Sequence, residues 1–184
     1  MKHAFRLLAA VAAPLAFAAG LVAASPSPGF VDFGKFSPVA GKQYVEVELD
    51  GALLKLAAVF ADKQDAEIGK LVANLERVRV NVVGLSEDNR ADAKDRMNAV
   101  RQDLTGQGWK RIVTVQEQAG DDIAVFLKQA ADDAIQGIVV TVIDGGKEAI
   151  FVNVVGNVKL EQIAALAERL NLEPLRKLDL AAAN

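Results

Sequence analysis

The stretch from Gln136 to Leu170 constrains the fold of this chain more than any other. Two β-branched runs flank Asp144-Gly145-Gly146-Lys147. Gly-Gly is a favoured two-residue hairpin turn because both central residues can take positive φ. With that turn, Val142 is expected opposite Ala149, Val140 opposite Phe151 and Ile138 opposite Asn153, all on one face. Val139, Thr141, Ile143, Ile150 and Val152 then share the other. Leu160–Leu170 follows, with Ile163, Leu166, Ala167 and Leu170 on one helical stripe. The reading is a core hairpin with its packing helix.

Alternation and capping place the other elements. Val45, Val47 and Leu49 alternate with Tyr44, Glu46 and Glu48, a half-buried strand. Gly51–Ala61 is expected to be helical, with Leu53, Leu56, Ala57 and Phe60 facing the core. Asp65 is placed to cap a second helix carrying Ile68, Leu71, Val72 and Leu75. Val78, Val80 and Val82 alternate with Arg77, Arg79 and Asn81. Glu46 and Glu48 would sit beside Arg77 and Arg79 as a solvated ladder if these two strands are neighbours. Ser86 caps a helix whose apolar stripe is Ala93, Met97, Val100 and Leu104, ended by Gly106. Trp109–Glu117 and Ile123–Gln129 form a further strand pair, with Trp109 as a core-rim anchor. Ala130–Ala134 is a short connection.

The ends of the chain differ from this middle. Lys2, His3 and Arg6, the apolar run Leu7–Val22 and the small residues Val22-Ala23-Ala24 have the order of a signal peptide cut after Ala24. The run is short for a membrane span and contains Pro14, so cleavage is expected rather than anchoring. Residues 25–42 read as a linker and leading segment, in which Phe30, Phe33 and Phe36 tack the chain onto the core at helical spacing. Residues 43–178 are the single domain and 179–184 a tail. The expected location is periplasmic or secreted. The fold class is α+β: a two-layer, mostly antiparallel sheet of about six strands with helices packed on one face.

Composition excludes much chemistry. The single histidine is His3, and there is no cysteine. After cleavage the chain has no imidazole and no thiol, which removes Ser-His-Asp and Cys-His nucleophiles and Cys/His zinc sites. No disulfide or lipid-modified cysteine is possible. Carboxylate or lysine chemistry is the enzymatic alternative that stays open. Losing Lys2 and Arg6 leaves 19 basic against 24 acidic residues, a net of −5, which argues against a nucleic-acid partner. Asp88, Asp92 and Asp95 share a helix face, but carboxylates so spaced diverge, no loop wraps a cation, and Arg96 follows Asp92 by one turn. No catalytic residue, metal site or cofactor is therefore assigned. Gly145-Gly146-Lys147 lacks the following helix that a phosphate loop needs. Val-Asn-Val-Val-Gly occurs twice, at 80–84 and 152–156, as strand-end composition or a trace of duplication.

Several patches along the chain resemble one family. They are Phe30-Val31-Asp32-Phe33, Gly51-Ala52-Leu53-Leu54-Lys55-Leu56, Arg77-Val78-Arg79-Val80, Gly108-Trp109, Val125-Phe126-Leu127-Lys128, and Phe151-Val152-Asn153-Val154-Val155-Gly156 with Leu160-Glu161. The chain resembles the exported bacterial proteins grouped as domain of unknown function 4252, from about Phe30 to Leu178. The resemblance implies a cell-envelope or secreted protein with no assigned catalytic residues. Many such proteins look like lipoproteins; this cysteine-free chain departs from them and is expected to keep no stable membrane span.

The expected function is a non-catalytic binding or protein-interaction module. Both hairpin faces are apolar, whereas the strands near Val47 and Val80 are polar on one side, so the sheet is expected to keep an open face. Val140, Val142 and Phe151, or their counterparts Val139, Ile150 and Val152, are the candidate surface for an envelope partner or a second copy. The competing expectation is that Phe30–Phe36 or the tail after Leu172 folds over that face.

Overall fold

A computed structural model of the chain describes residues 27–117, 120–130, 134–159 and 162. The expected signal segment, the stripe Ile163–Leu170 and the tail lie outside the described residues. Six strands form one antiparallel sheet in the order β1-β2-β6-β5-β4-β3. In chain order they are β1 (Tyr44–Asp50), β2 (Leu75–Gly84), β3 (Lys110–Gln116), β4 (Asp122–Gln129), β5 (Ile135–Asp144) and β6 (Glu148–Val158). Helices α1 (Gly51–Asp62) and α2 (Ala66–Ala73) lie between β1 and β2, and α3 (Glu87–Gly106) between β2 and β3. The α+β class follows from this arrangement.

Local chemistry starts each helix. The Asp50 carboxylate ends β1 and accepts from the Ala52 and Leu53 N–H groups at 3.0 and 3.1 Å. Asp65 does the same for α2, accepting from Glu67 and Ile68. At α3, the Ser86 backbone N–H donates to Asn89 Oδ1 at 2.7 Å, and the Asn89 amide donates to the Gly84 carbonyl.

Alternation along the strands sorts the sheet into two faces. On one face Phe126, Val139, Ala149 and Phe151 are buried with Ala93, Met97, Val100 and Leu104 of α3, and with Trp109 and Phe33. The expected stripe of α3 and the anchoring role of Trp109 are as observed. On the other face the registers of all six strands align into rows. Val47, Val80, Val152, Val140, Val125 and Val113 are successive cross-strand partners, as are Val45, Val82, Ile150, Val142, Ile123 and Val115. At one end of this open face, Leu71 of α2 packs with Leu75, Leu127, Ile138 and Val158.

The hairpin register differs from expectation by one residue. Val140 lies opposite Val152, Val142 opposite Ile150, and Asp144 opposite Glu148. Gly145 and Gly146 form the turn with φ of 47° and 71°, closed by the Lys147 N–H on the Asp144 carbonyl. Lys147 is the extra residue: its carbonyl accepts from the Leu85 N–H at 2.7 Å rather than facing Asp144 in a two-residue loop. One added loop residue transfers every side chain of one strand to the opposite face.

Helix α1 is also turned from its expected orientation. Leu54 and Ala58 are buried, whereas Leu53, Leu56, Ala57 and Phe60 are exposed. The contact with α2 explains the rotation. A methyl group at Gly69 would lie 2.6 Å from the Asp62 Cα, so α2 approaches backbone to backbone along the side of α1 that carries Ala58 and Asp62. Leu75, expected on the second helix, opens β2 instead.

Candidate interaction surfaces

The three residues expected to form one surface are divided between the two faces. Val140 and Val142 are half-buried on the open face. Phe151 is fully buried on the other, its ring 5.5 Å from that of Phe33 and 4.9 Å from that of Phe36. The slip in register accounts for the division. Ile150 and Val152 take the place of Phe151 beside Val140 and Val142.

The leading segment Phe30–Phe36 lies on the α3 face, not over the open one, and it is irregular rather than helical. Asn153 holds it: the Val31 N–H donates to Asn153 Oδ1 at 3.0 Å, and the Asn153 amide donates to the Gly29 carbonyl at 3.0 Å. Arg96 donates to the carbonyls of Phe33 and Lys35 and stacks 4.6 Å from the Phe36 ring. The Arg79 guanidinium donates to Asp32 Oδ1 at 3.0 Å and to the Gly34 carbonyl at 3.2 Å. The Gly34 N–H and then the Arg79 guanidinium hold the Asp32 carboxyl below its ordinary range.

The expected charge ladder is present but only partly solvated. Arg77 lies 3.9 Å from Glu48, and Arg79 lies 3.8 Å from Glu46. Arg79 is nonetheless buried, because the leading segment covers it. Tyr44 donates to Glu46 at 2.8 Å, a bond to a carboxylate that raises the phenol above its ordinary pKa. Asn81, on the same face, is fully buried, and neither its amide nitrogen nor its oxygen has a hydrogen-bond partner among the described residues.

A second buried arginine was not legible in the sequence. Arg101 joins the inner stripe of α3, donating to Thr141 Oγ1 at 2.9 Å and to both Asp122 oxygens at 2.9 and 2.8 Å. Its position one turn after Met97 was the available signal. Nearby, Arg90, Lys94, Glu117, Asp121 and Asp122 line a shallow cleft of about 380 Å³ beside the hairpin turn. Two of its carboxylates are engaged: Asp121 accepts from the Gly145 N–H at 2.6 Å, and Asp122 holds Arg101. Asp88, Asp92 and Asp95 are exposed on α3, and among the described residues no group of three acidic side chains is placed to hold a metal ion.

The remaining feature is the outer side of α1. Leu53, Leu56, Val59 and Phe60 are each about half exposed, at 49, 56, 57 and 58%, and they share one side of the helix. Lys63 reaches over the Phe60 ring at 5.9 Å.

Residues 39–166 match the model of the family described as domain of unknown function 4252, and the chain belongs to that family. No characterised protein and no solved structure matches the chain. No helix among the described residues is long and apolar enough to cross a membrane.

Proposed function

We propose that this protein is a non-catalytic interaction module of the cell envelope, exported by the segment Met1–Ala24 and meeting a partner protein through the outer side of α1. The exposed quartet Leu53, Leu56, Val59 and Phe60 carries the reading. Large aliphatic and aromatic side chains gathered on one side of a helix and left in water are characteristic of association surfaces. Export rests on the basic, apolar and small-residue order of the first 24 residues. The non-catalytic reading rests on the lack of thiol and imidazole beyond His3, and on Asp121 and Asp122 at the cleft being tied into structural bonds.

The test is capture from an envelope extract followed by mass spectrometry, with the chain and its Leu56→Glu/Phe60→Glu variant as parallel baits. A partner held by the first and lost by the second is the expected result. Intact mass should place the N-terminus at Ser25. A full-length chain held in the membrane would overturn export, and equal recovery by both baits would overturn the role of α1. Light scattering that shows a dimer abolished by the same variant would identify the partner as a second copy.

A further inference from the structure

The leading segment sits on the body of the protein as a ligand sits in a groove. Among the described residues, 27–36 make no backbone-to-backbone hydrogen bond to any strand or helix. Side chains of the body hold the segment instead. Arg79 takes the Asp32 carboxylate and the Gly34 carbonyl, Arg96 the carbonyls of Phe33 and Lys35, and Asn153 the backbone at Gly29 and Val31. Phe33, 2% exposed, and Phe36 anchor it against the Phe151 ring. Gly34, with φ of 73°, supplies the bend beside Arg96. Such a groove reads a backbone path and selects the pattern Asp-Phe-Gly-x-Phe. We propose that it also takes the leading segment of a second copy in place of its own, so that two copies clasp each other by exchanged arms.

Two observations make the segment exchangeable. The first is that it can leave without opening the sheet, since no ladder bond is lost. The second is the way it is returned to its own body. A single turn over residues 39–42 does this, closed by the Lys42 N–H on the Val39 carbonyl at 3.1 Å, with Gly41 at φ of 72°. Ser37, Pro38, Ala40, Gly41 and Lys42 are all exposed. Beyond its chain neighbours, no atom lies within 4 Å of where a Gly41 Cβ would stand. The turn is thus held by the freedom of a glycine and not by packing.

The fit identifies the partner. The segment that satisfies Arg79, Arg96 and Asn153 is present in every copy of the chain. With the turn open, it meets the same side chains in a neighbour that it leaves at home. Exchange of an identical element costs little for that reason. The inference concerns the α3 face and holds whether or not α1 meets a partner.

Gly41→Val tests this, because a β-branched residue resists positive φ and opens the turn without touching the groove. The Ser27 hydroxyl donates to Glu76 Oε2 at 2.8 Å, so Ser27→Cys and Glu76→Cys report the seating in a chain otherwise free of cysteine. Full chains with Gly41→Val and one cysteine each are mixed and treated with a short bifunctional maleimide, and the links are located by peptide mass mapping. Light scattering should show a dimer. Links between copies should exceed at least tenfold those of a control pair, Ser27→Cys with Asp88→Cys. Adding Leu56→Glu/Phe60→Glu should leave that yield unchanged; its loss would mean that the copies meet through α1 and would overturn the exchange. A folded monomer whose double-cysteine form links only within itself would overturn it too. So would a Gly41→Val chain that unfolds and is not refolded by a synthetic peptide of residues 27–38, because the segment could then not be supplied from outside.

Discussion

Asn81 and Asn153 hold the same place in a repeated pentapeptide and project from the same buried face of neighbouring strands, yet among the described residues only the Asn153 side chain is hydrogen-bonded. Val80 and Val152, the residues before them, are direct cross-strand partners, and the two copies of Val-Asn-Val-Val-Gly run away from that pair in opposite directions, so that Asn81 faces Phe151 and Asn153 faces Arg79. Asn153 clasps the leading segment by two backbone groups and donates to the Ile138 carbonyl, whereas the Asn81 side chain has no partner among the described residues. Their leucine variants should therefore diverge. Asn153→Leu strands the Val31 N–H and the Gly29 carbonyl, at a cost of about 1–3 kcal/mol for each group left unpaired. Asn81→Leu removes an unpaired amide and should be neutral or stabilising by about 1 kcal/mol. Urea unfolding of both variants decides the matter; a loss of stability at Asn81 matching that at Asn153 would contradict the assignment.

The Arg101–Asp122 pair should matter more than the ion pairs of the β1–β2 ladder. Its side chains are 10 and 22% exposed, against 41 and 53% for Arg77 and Glu48. Asp122→Ala leaves a mostly buried guanidinium without its carboxylate, which costs about 3–5 kcal/mol. Glu48→Ala should cost less than about 1 kcal/mol. Thermal and urea denaturation of the two single variants will show whether this order holds.

The hairpin register depends on Lys147 as an extra residue. Deleting it should force either a strained turn or a one-residue slip that sends Phe151 and Asn153 to the open face and Ile150 and Val152 under α3. The expected outcome is loss of cooperative unfolding, read by near-UV circular dichroism at the lone Trp109. Lys147→Ala keeps the residue count and should unfold like the parent chain.

Acid should weaken the hold on the leading segment. The Asp32 carboxyl titrates below its ordinary range in the folded state. Its contribution is complete above that range and disappears as pH falls through the folded-state value. Asp32→Asn should therefore be less stable than the parent at neutral pH, and the difference should close as the solution becomes strongly acidic. Unfolding midpoints across an acid series test this; a gap that widens with acid would contradict it.

Much of the sheet was readable because strands buried on one side advertise themselves by strict alternation. β1 and β2 behaved so, the hairpin was marked instead by two β-branched runs around Gly145-Gly146, and the cap at Asp65 and the stripe of α3 were equally plain. What was hidden depended on loop geometry or on residues far apart in sequence. Nothing local reveals that Lys147 is an added loop residue. Nothing local orients α1 either, because Leu53, Leu54, Leu56, Ala57, Ala58, Val59 and Phe60 leave little of its circumference polar, and a small contact at Gly69 decides. Phe151 could not be assigned to a face without the register. Arg79 and Arg101 resemble ordinary surface arginines until the leading segment and α3 are placed over them.

The strand order has a consequence for how the molecule comes into being. Among the described strands β6 is the last made, and it sits near the middle, with β2 on one side and β5 on the other. Until Glu148–Val158 arrives, β1–β2 and β3–β4–β5 are two separate ribbons, each with a bare edge where Val80 or Val140 awaits Val152. Joining them requires contacts between distant parts of the sequence, and such closures are slow. A chain emerging from its N-terminus thus stays incompletely folded until most of its length is free, and β6 acts as the clasp that commits it.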